Sequence, residues 1–196
     1  MALWGATDAD ESKPKWLTTA EKKEVYATNE GWVREAGSVW SGNDNASAAP
    51  EILVAIGNLT TGIGAADVTE VEWITTAADK SAGFTLSVRV RYNERVTVTG
   101  SPTLAVTNGN QGSGSGRGPH TLVYASGTGT NELVFSLVIA AANAATNAND
   151  VLVIGAQNIA KPGGATLKDT GDGTTNSAVA ISGAQGTAAG SITVVA

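Results

Sequence analysis

His120 is the only histidine of the 196-residue chain, and it follows Gly118-Pro119 at the start of an apolar run. Acid–base work would need a nucleophile or an orienting partner beside it. The sequence around it carries neither a Ser/Cys nucleophile signature nor a second metal-spaced ligand, so it reads as a structural or surface side chain. Asp169-Thr170-Gly171-Asp172-Gly173 sets hard oxygen ligands on a glycine frame, the composition of a calcium loop, but without EF-hand spacing or a closing glutamate. A turn built on Asp and Gly is the better reading. Gly62-Ile63-Gly64 and Gly127-Thr128-Gly129 lack the third glycine and the acidic partner of a dinucleotide loop, so they too are expected as turns. Arg89, Arg91 and Arg95 could meet an acidic partner, although cross-strand pairing with Glu70 and Glu72 is favoured. Asn45-Ala46-Ser47 and Asn58-Leu59-Thr60 match the glycosylation sequon, a match that chance supplies in an Asn- and Thr-rich chain. These residues predict no catalytic group, no cofactor and no metal site.

The elements around them are strands. In Phe84-Thr85-Leu86-Ser87-Val88-Arg89-Val90-Arg91-Tyr92, apolar and polar residues alternate with the period of a half-buried strand, and Leu133, Phe135, Leu137 and Ile139 repeat the pattern. Further candidates lie at 51–57, 68–75, 96–98, 103–107, 120–125, 151–155, 166–168, 177–182 and 191–195, separated by turn clusters and by a glycine-rich loop at 108–119. Short strands at this spacing predict a β-sandwich.

Composition agrees. Aromatics are 5% and charged residues 15%, with 24 glycines, which suits strands and polar turns rather than a helical enzyme with an ionic surface. With no cysteine there is no disulfide or thiolate site, and stability must come from packing or association. A net charge of -6 without any Lys/Arg-rich stretch argues against nucleic acid. The acidic start MALWGATDADESKPKW does not fit a signal peptide, and no segment approaches the ~20 apolar residues of a membrane span, so a soluble protein without membrane contact is expected.

Four of the five tryptophans, Trp4, Trp16, Trp32 and Trp40, fall in the first 40 residues, before a polar linker, SGNDNASAAP, at 41–50. Thr18 and Glu21 have capping-box spacing, which predicts a short helix over 18–27. A segment of this size is not expected to hide four indoles by folding on itself, and exposed indoles serve docking. Residues 1–45 are therefore expected to form an extended docking arm, with Trp4, Trp16, Leu17, Val25, Tyr26, Trp32, Val33 and Trp40 as its contact residues.

Two resemblances extend this. VRVRYNERVTVTGSPTLAVTNGN, TLVYASGTGTNELVFSLVI and NIAKPGGATLKDTGDG resemble the Ig-like repeats of large bacterial surface proteins, over roughly residues 68–182. KPKWLT-x-AEKK-x-VYAT-x-x-GWV at 13–33, together with MALWG, is similar to structural proteins of tailed phages that infect marine cyanobacteria. The resemblances imply an all-β chain: a single Ig-like β-sandwich over 50–196 preceded by the Trp-rich arm. They imply a non-enzymatic virion component, a capsid decoration protein docked on the major capsid protein or a neighbouring subunit as a homo-oligomer on the particle. The alternatives are a neck or tail accessory protein, or an adhesin module binding a host-surface glycan.

Overall fold

The computed structural model describes residues 13–109, 119–143 and 146–196. Trp4, the rest of the first twelve residues and most of the glycine-rich loop lie outside them. In chain order the elements are α1 (Thr19–Lys23), β1 (Val25–Thr28), β2 (Gly31–Arg34), β3 (Glu51–Ala55), α2 (Leu59–Ile63), β4 (Val68–Trp73), β5 (Ala78–Asp79), β6 (Phe84–Thr99) and β7 (Thr103–Gly109). There follow β8 (His120–Ser126), β9 (Thr130–Ile139), β10 (Val151–Val153), β11 (Gln157–Asn158), β12 (Thr166–Asp169), β13 (Ala180–Ile181), α3 (Gly183–Ala189) and β14 (Ser191–Val195). The protein is mostly β, with one large mixed sheet of twelve strands and a second sheet formed by β11 and β13.

The large sheet runs β3-β2-β1-β6-β9-β8-β7-β10-β14-β5, and β4 and β12 also pair with β6. Strand β6 is its hub. Its sixteen residues contain neither Gly nor Pro and are rich in Val, Thr and aromatics, so the strand continues where the sequence predicted two. Polar Asn93-Glu94-Arg95 does not end it but falls in a register shift between Arg91 and Val96. Along one edge β9 pairs with it from Phe84 to Arg91, while along the other β4 covers Val88–Tyr92 and β12 covers Val96–Thr99. The alternation read from sequence is obeyed: Leu86, Val88, Val90 and Tyr92 are fully buried in the main core with Leu133, Phe135, Leu104 and Leu122.

The first 40 residues depart from expectation. The predicted helix stops at Lys23, and Val25–Thr28 forms β1, because Val-Tyr-Ala-Thr favours a strand and Asn29-Glu30-Gly31 supplies a turn. Gly31 has φ +133°, and a Cβ there would collide with the carbonyl oxygen of Val54. This glycine lets β3 approach β2. Strand β3 joins the hairpin, and Leu59 of α2 packs with Leu17, Val25, Ala27 and Trp32 in a second core. The N-terminal unit therefore reaches beyond the 41–50 linker to α2. Helix α3, where no helix was expected, begins at a capping box between Ser182 and Gln185.

Candidate interaction surface

The capping box of Thr18 and Glu21 fixes the start of α1, and Glu24 follows its last turn. From there the structure divides the expected contact residues. Val25, Tyr26, Trp32, Val33 and Leu17 are buried in the chain's own interior. Trp16 and Trp40 face solvent at 62% and 49% exposure, with Val39 beside Trp40 at 84%. The indole of Trp32 is hidden because β1, β2, β3 and α2 together supply a core that the first 40 residues could not build alone.

Val39 and Trp40 sit on a clamped backbone. The Glu24 carboxylate accepts from the amides of Val39 (3.2 Å) and Trp40 (3.1 Å), and buried Arg34 donates to the Trp40 carbonyl at 2.5 Å. A turn held in this way loses little further freedom when a partner covers it.

Arg89 and Arg91 are paired with Glu70 and Glu72, as the sequence favoured, whereas Arg95 pairs elsewhere. Arg91, nearly buried, meets Glu70 (3.0 Å), Glu72 (3.1 Å) and Glu132 (2.7 Å), and Arg89 meets Glu72 at 3.0 Å. Glu132, like Glu35, is a partner that sequence reading missed; it stands opposite Arg91 across the β6–β9 ladder. Lys23 of α1 pairs with Glu70, so the N-terminal unit is tied to this face. Arg95 binds Glu35 (2.9 Å) and the Tyr26 hydroxyl (2.6 Å), and burial raises the Tyr26 pKa.

His120 is placed 3.1 Å from the Thr146 hydroxyl, a neighbour the sequence did not reveal. His120, Thr146 and Asp150 are all buried, and burial lowers the imidazole pKa against the opposing charge of Asp150. The aromatics of the larger part are likewise engaged internally. Trp73 donates to the Gly190 carbonyl, Tyr92 to the Ala178 carbonyl, and Tyr124 packs edge-on against Phe135.

Asp172 forms the expected turn: its carboxylate accepts from Thr175, side chain and amide, and from the Thr174 amide, and these bonds hold its pKa down at about 2. Asp169 behaves differently. It is buried, and its Oδ1 accepts from the Gly171 amide at 2.6 Å. Beside it lies Glu94, fully buried, in phase with Leu86, Val88, Val90, Tyr92 and Val96, where the alternation calls for an apolar side chain. Both Glu94 carboxylate oxygens are buried without a hydrogen-bond donor. Burial, then the neighbouring Asp169, pushes the Glu94 pKa up to about 8, with Asp67 and Asp172 adding to the effect. The two carboxylates border a cavity of about 210 Å³ together with Asn29 of the β1–β2 turn and Thr60 of α2. Sequence reading missed Glu94, although one signal was present: a glutamate at an even-numbered position of a strand whose other even positions from 86 to 96 are apolar.

Among the described residues no three His, Cys, Asp or Glu side chains converge as a metal cluster, and no helix is long and apolar enough to cross a membrane. Comparison with family models, with curated proteins and with solved structures finds no match to this chain.

Proposed function

We propose that this chain is a non-enzymatic structural component of a tailed-phage particle, a decoration protein that docks on the major capsid protein or a neighbouring subunit through Trp16, Val39 and Trp40. In this reading the part from β4 onward is an Ig-like sandwich that covers or projects from the particle. The observation that carries the proposal is the exposure of two indoles and a valine, Trp16 just before α1 and Val39 with Trp40 on backbone held by Glu24 and Arg34. Tryptophan is the side chain most enriched at the centre of protein interfaces. The similarity of residues 13–33 to phage structural proteins supplies the kind of partner. Docking here uses fewer residues than the sequence suggested, since Trp32, Tyr26, Val25, Val33 and Leu17 already hold the unit together.

The test is incorporation. A Trp16→Ala/Trp40→Ala double variant should remain folded, by unchanged circular dichroism and melting, and be depleted at least tenfold from purified particles. Wild-type levels in the particle would refute docking through this surface.

A further inference from the structure

We propose that Glu94 and Asp169, with the side-chain oxygens of Asn29 and Thr60, form a binding site for a calcium ion at the junction of the N-terminal hairpin and the main sheet. The argument begins with an imbalance. A carboxylate fully removed from water needs a hydrogen-bond donor or a cation, and Glu94 has no donor for either oxygen. The charged group that acts on it most strongly is a second buried carboxylate, Asp169, on the lining of the same cavity, and two carboxylates so placed need a proton or a cation as counter-charge. Asp67 and Asp172 strengthen the negative field. Arg95 borders the cavity too, and its Nη2 is directed to Glu35 and the Tyr26 hydroxyl.

The other groups are the neutral oxygens a hard cation takes. The Thr60 hydroxyl donates to Asn29 Oδ1, which leaves lone pairs on both atoms, and Asp169 Oδ1 is steered by the Gly171 amide, which leaves Oδ2. Gly171 also keeps the site open, because a Cβ there would press on Asp169 Oδ1 at 3.1 Å and Thr60 Oγ1 at 3.2 Å. Two carboxylates and two neutral oxygens fall short of a full shell, and a cavity of about 210 Å³ leaves room for waters to complete it. Calcium, with 6–8 oxygen ligands and tolerant geometry, suits this set better than magnesium. The four protein ligands come from four elements: the β1–β2 turn, α2, β6 and the end of β12. The ion would lock the hairpin onto the sheet. This site is not the Asp169–Asp172 loop that the sequence suggested, since the Asp172 carboxylate is occupied by its own turn.

The experiment is thermal unfolding of the full chain, stripped with a chelator, then titrated with CaCl₂ against NaCl of equal ionic strength at pH 7.5. Wild type should gain roughly 5 °C in a saturable manner. Glu94→Gln should melt no lower than chelator-treated wild type, because a neutral isostere needs no counter-charge, and should not respond to calcium. Asp172→Asn should keep the response. Asn29→Ala, on the exposed rim, should weaken calcium binding about tenfold in titration calorimetry, and it serves as the test if Glu94→Gln fails to fold. A wild-type response no larger than the NaCl control would overturn the proposal and leave a shared proton as the counter-charge. So would an unchanged calcium response in Glu94→Gln, or unchanged affinity in Asn29→Ala.

Discussion

The two cores of this molecule are both apolar inside but differ in size and in how they are joined to the rest. The main core packs Leu86, Val88, Val90, Leu104, Leu122, Leu133 and Phe135 from paired strands, with buried Glu94 as a polar exception on the same face of β6. The N-terminal core has Trp32 surrounded by Leu17, Val25, Ala27 and Leu59, and it meets the main sheet largely through polar contacts: Lys23 with Glu70, Arg95 with Glu35 and Tyr26, and one parallel bridge between Ala27 and Glu94. Apolar area supplies non-directional stability, whereas charged contacts fix position and respond to solution conditions. The first core sets the shape. The second orients a surface.

Removing a large side chain from each core is the strongest way to break this contrast. Phe135→Ala should cost about 3–5 kcal/mol in urea unfolding and loosen the whole sheet. Trp32→Ala should cost a similar amount, but hydrogen exchange should show lost protection in β1–β3 while β6–β9 amides stay protected. Equal loss in both regions would make the two cores one cooperative unit. Next is Arg91→Met, which leaves Glu70, Glu72 and Glu132 facing one another without their shared cation and should cost about 3 kcal/mol. Repeating the measurement in Glu132→Gln/Arg91→Met should recover part of the loss.

An effect of similar size, spread over several pH units, is expected from pH. The Glu94 pKa is raised, so between the ordinary carboxylate range and about 8 the folded chain holds a proton that the unfolded chain has released. Its contribution is complete at low pH and is lost as pH rises through about 8, with a limiting slope of about 1.4 kcal/mol per pH unit. His120, whose pKa is lowered, acts in the opposite direction near neutrality, so the comparison must be made against Glu94→Gln. In chelator, wild-type stability should fall more steeply from pH 5 to 8 than that of the variant; parallel profiles would contradict the assignment. Smallest of all, Trp16→Ala and Trp40→Ala should each change stability by less than about 0.5 kcal/mol, since both side chains are exposed.

Strands were legible because one face of each is buried, which writes a period of two into the sequence. Phe84–Tyr92 and Leu133–Ile139 stand where the alternation placed them, and the Arg–Glu pairing followed from the same arithmetic. The β1–β2 hairpin was not legible. Val25–Thr28 and Gly31–Arg34 are each four residues long, too short for a period to emerge, and a capping box just upstream favoured helix. The fate of Trp32 depended on β3 and α2, whose contribution cannot be read from the first 40 residues. Glu94 was obscured by a polar run, Asn93-Glu94-Arg95, that resembles a turn and is instead a register shift inside one strand.

The long strand β6 has a consequence for the birth of the chain. Its two edges are filled by segments that lie before it, in β1 and β4, and well after it, in β9 and β12. On a ribosome adding about 5–20 residues per second, β6 waits several seconds between its own emergence and that of Ile139 at the end of β9. For that interval one backbone edge stands unpaired, open to the nascent strands of neighbouring polysomes. The charged row of Arg89 and Arg91 beside it then acts as a guard against wrong partners, until Glu132 arrives to complete the pairing and the edge disappears.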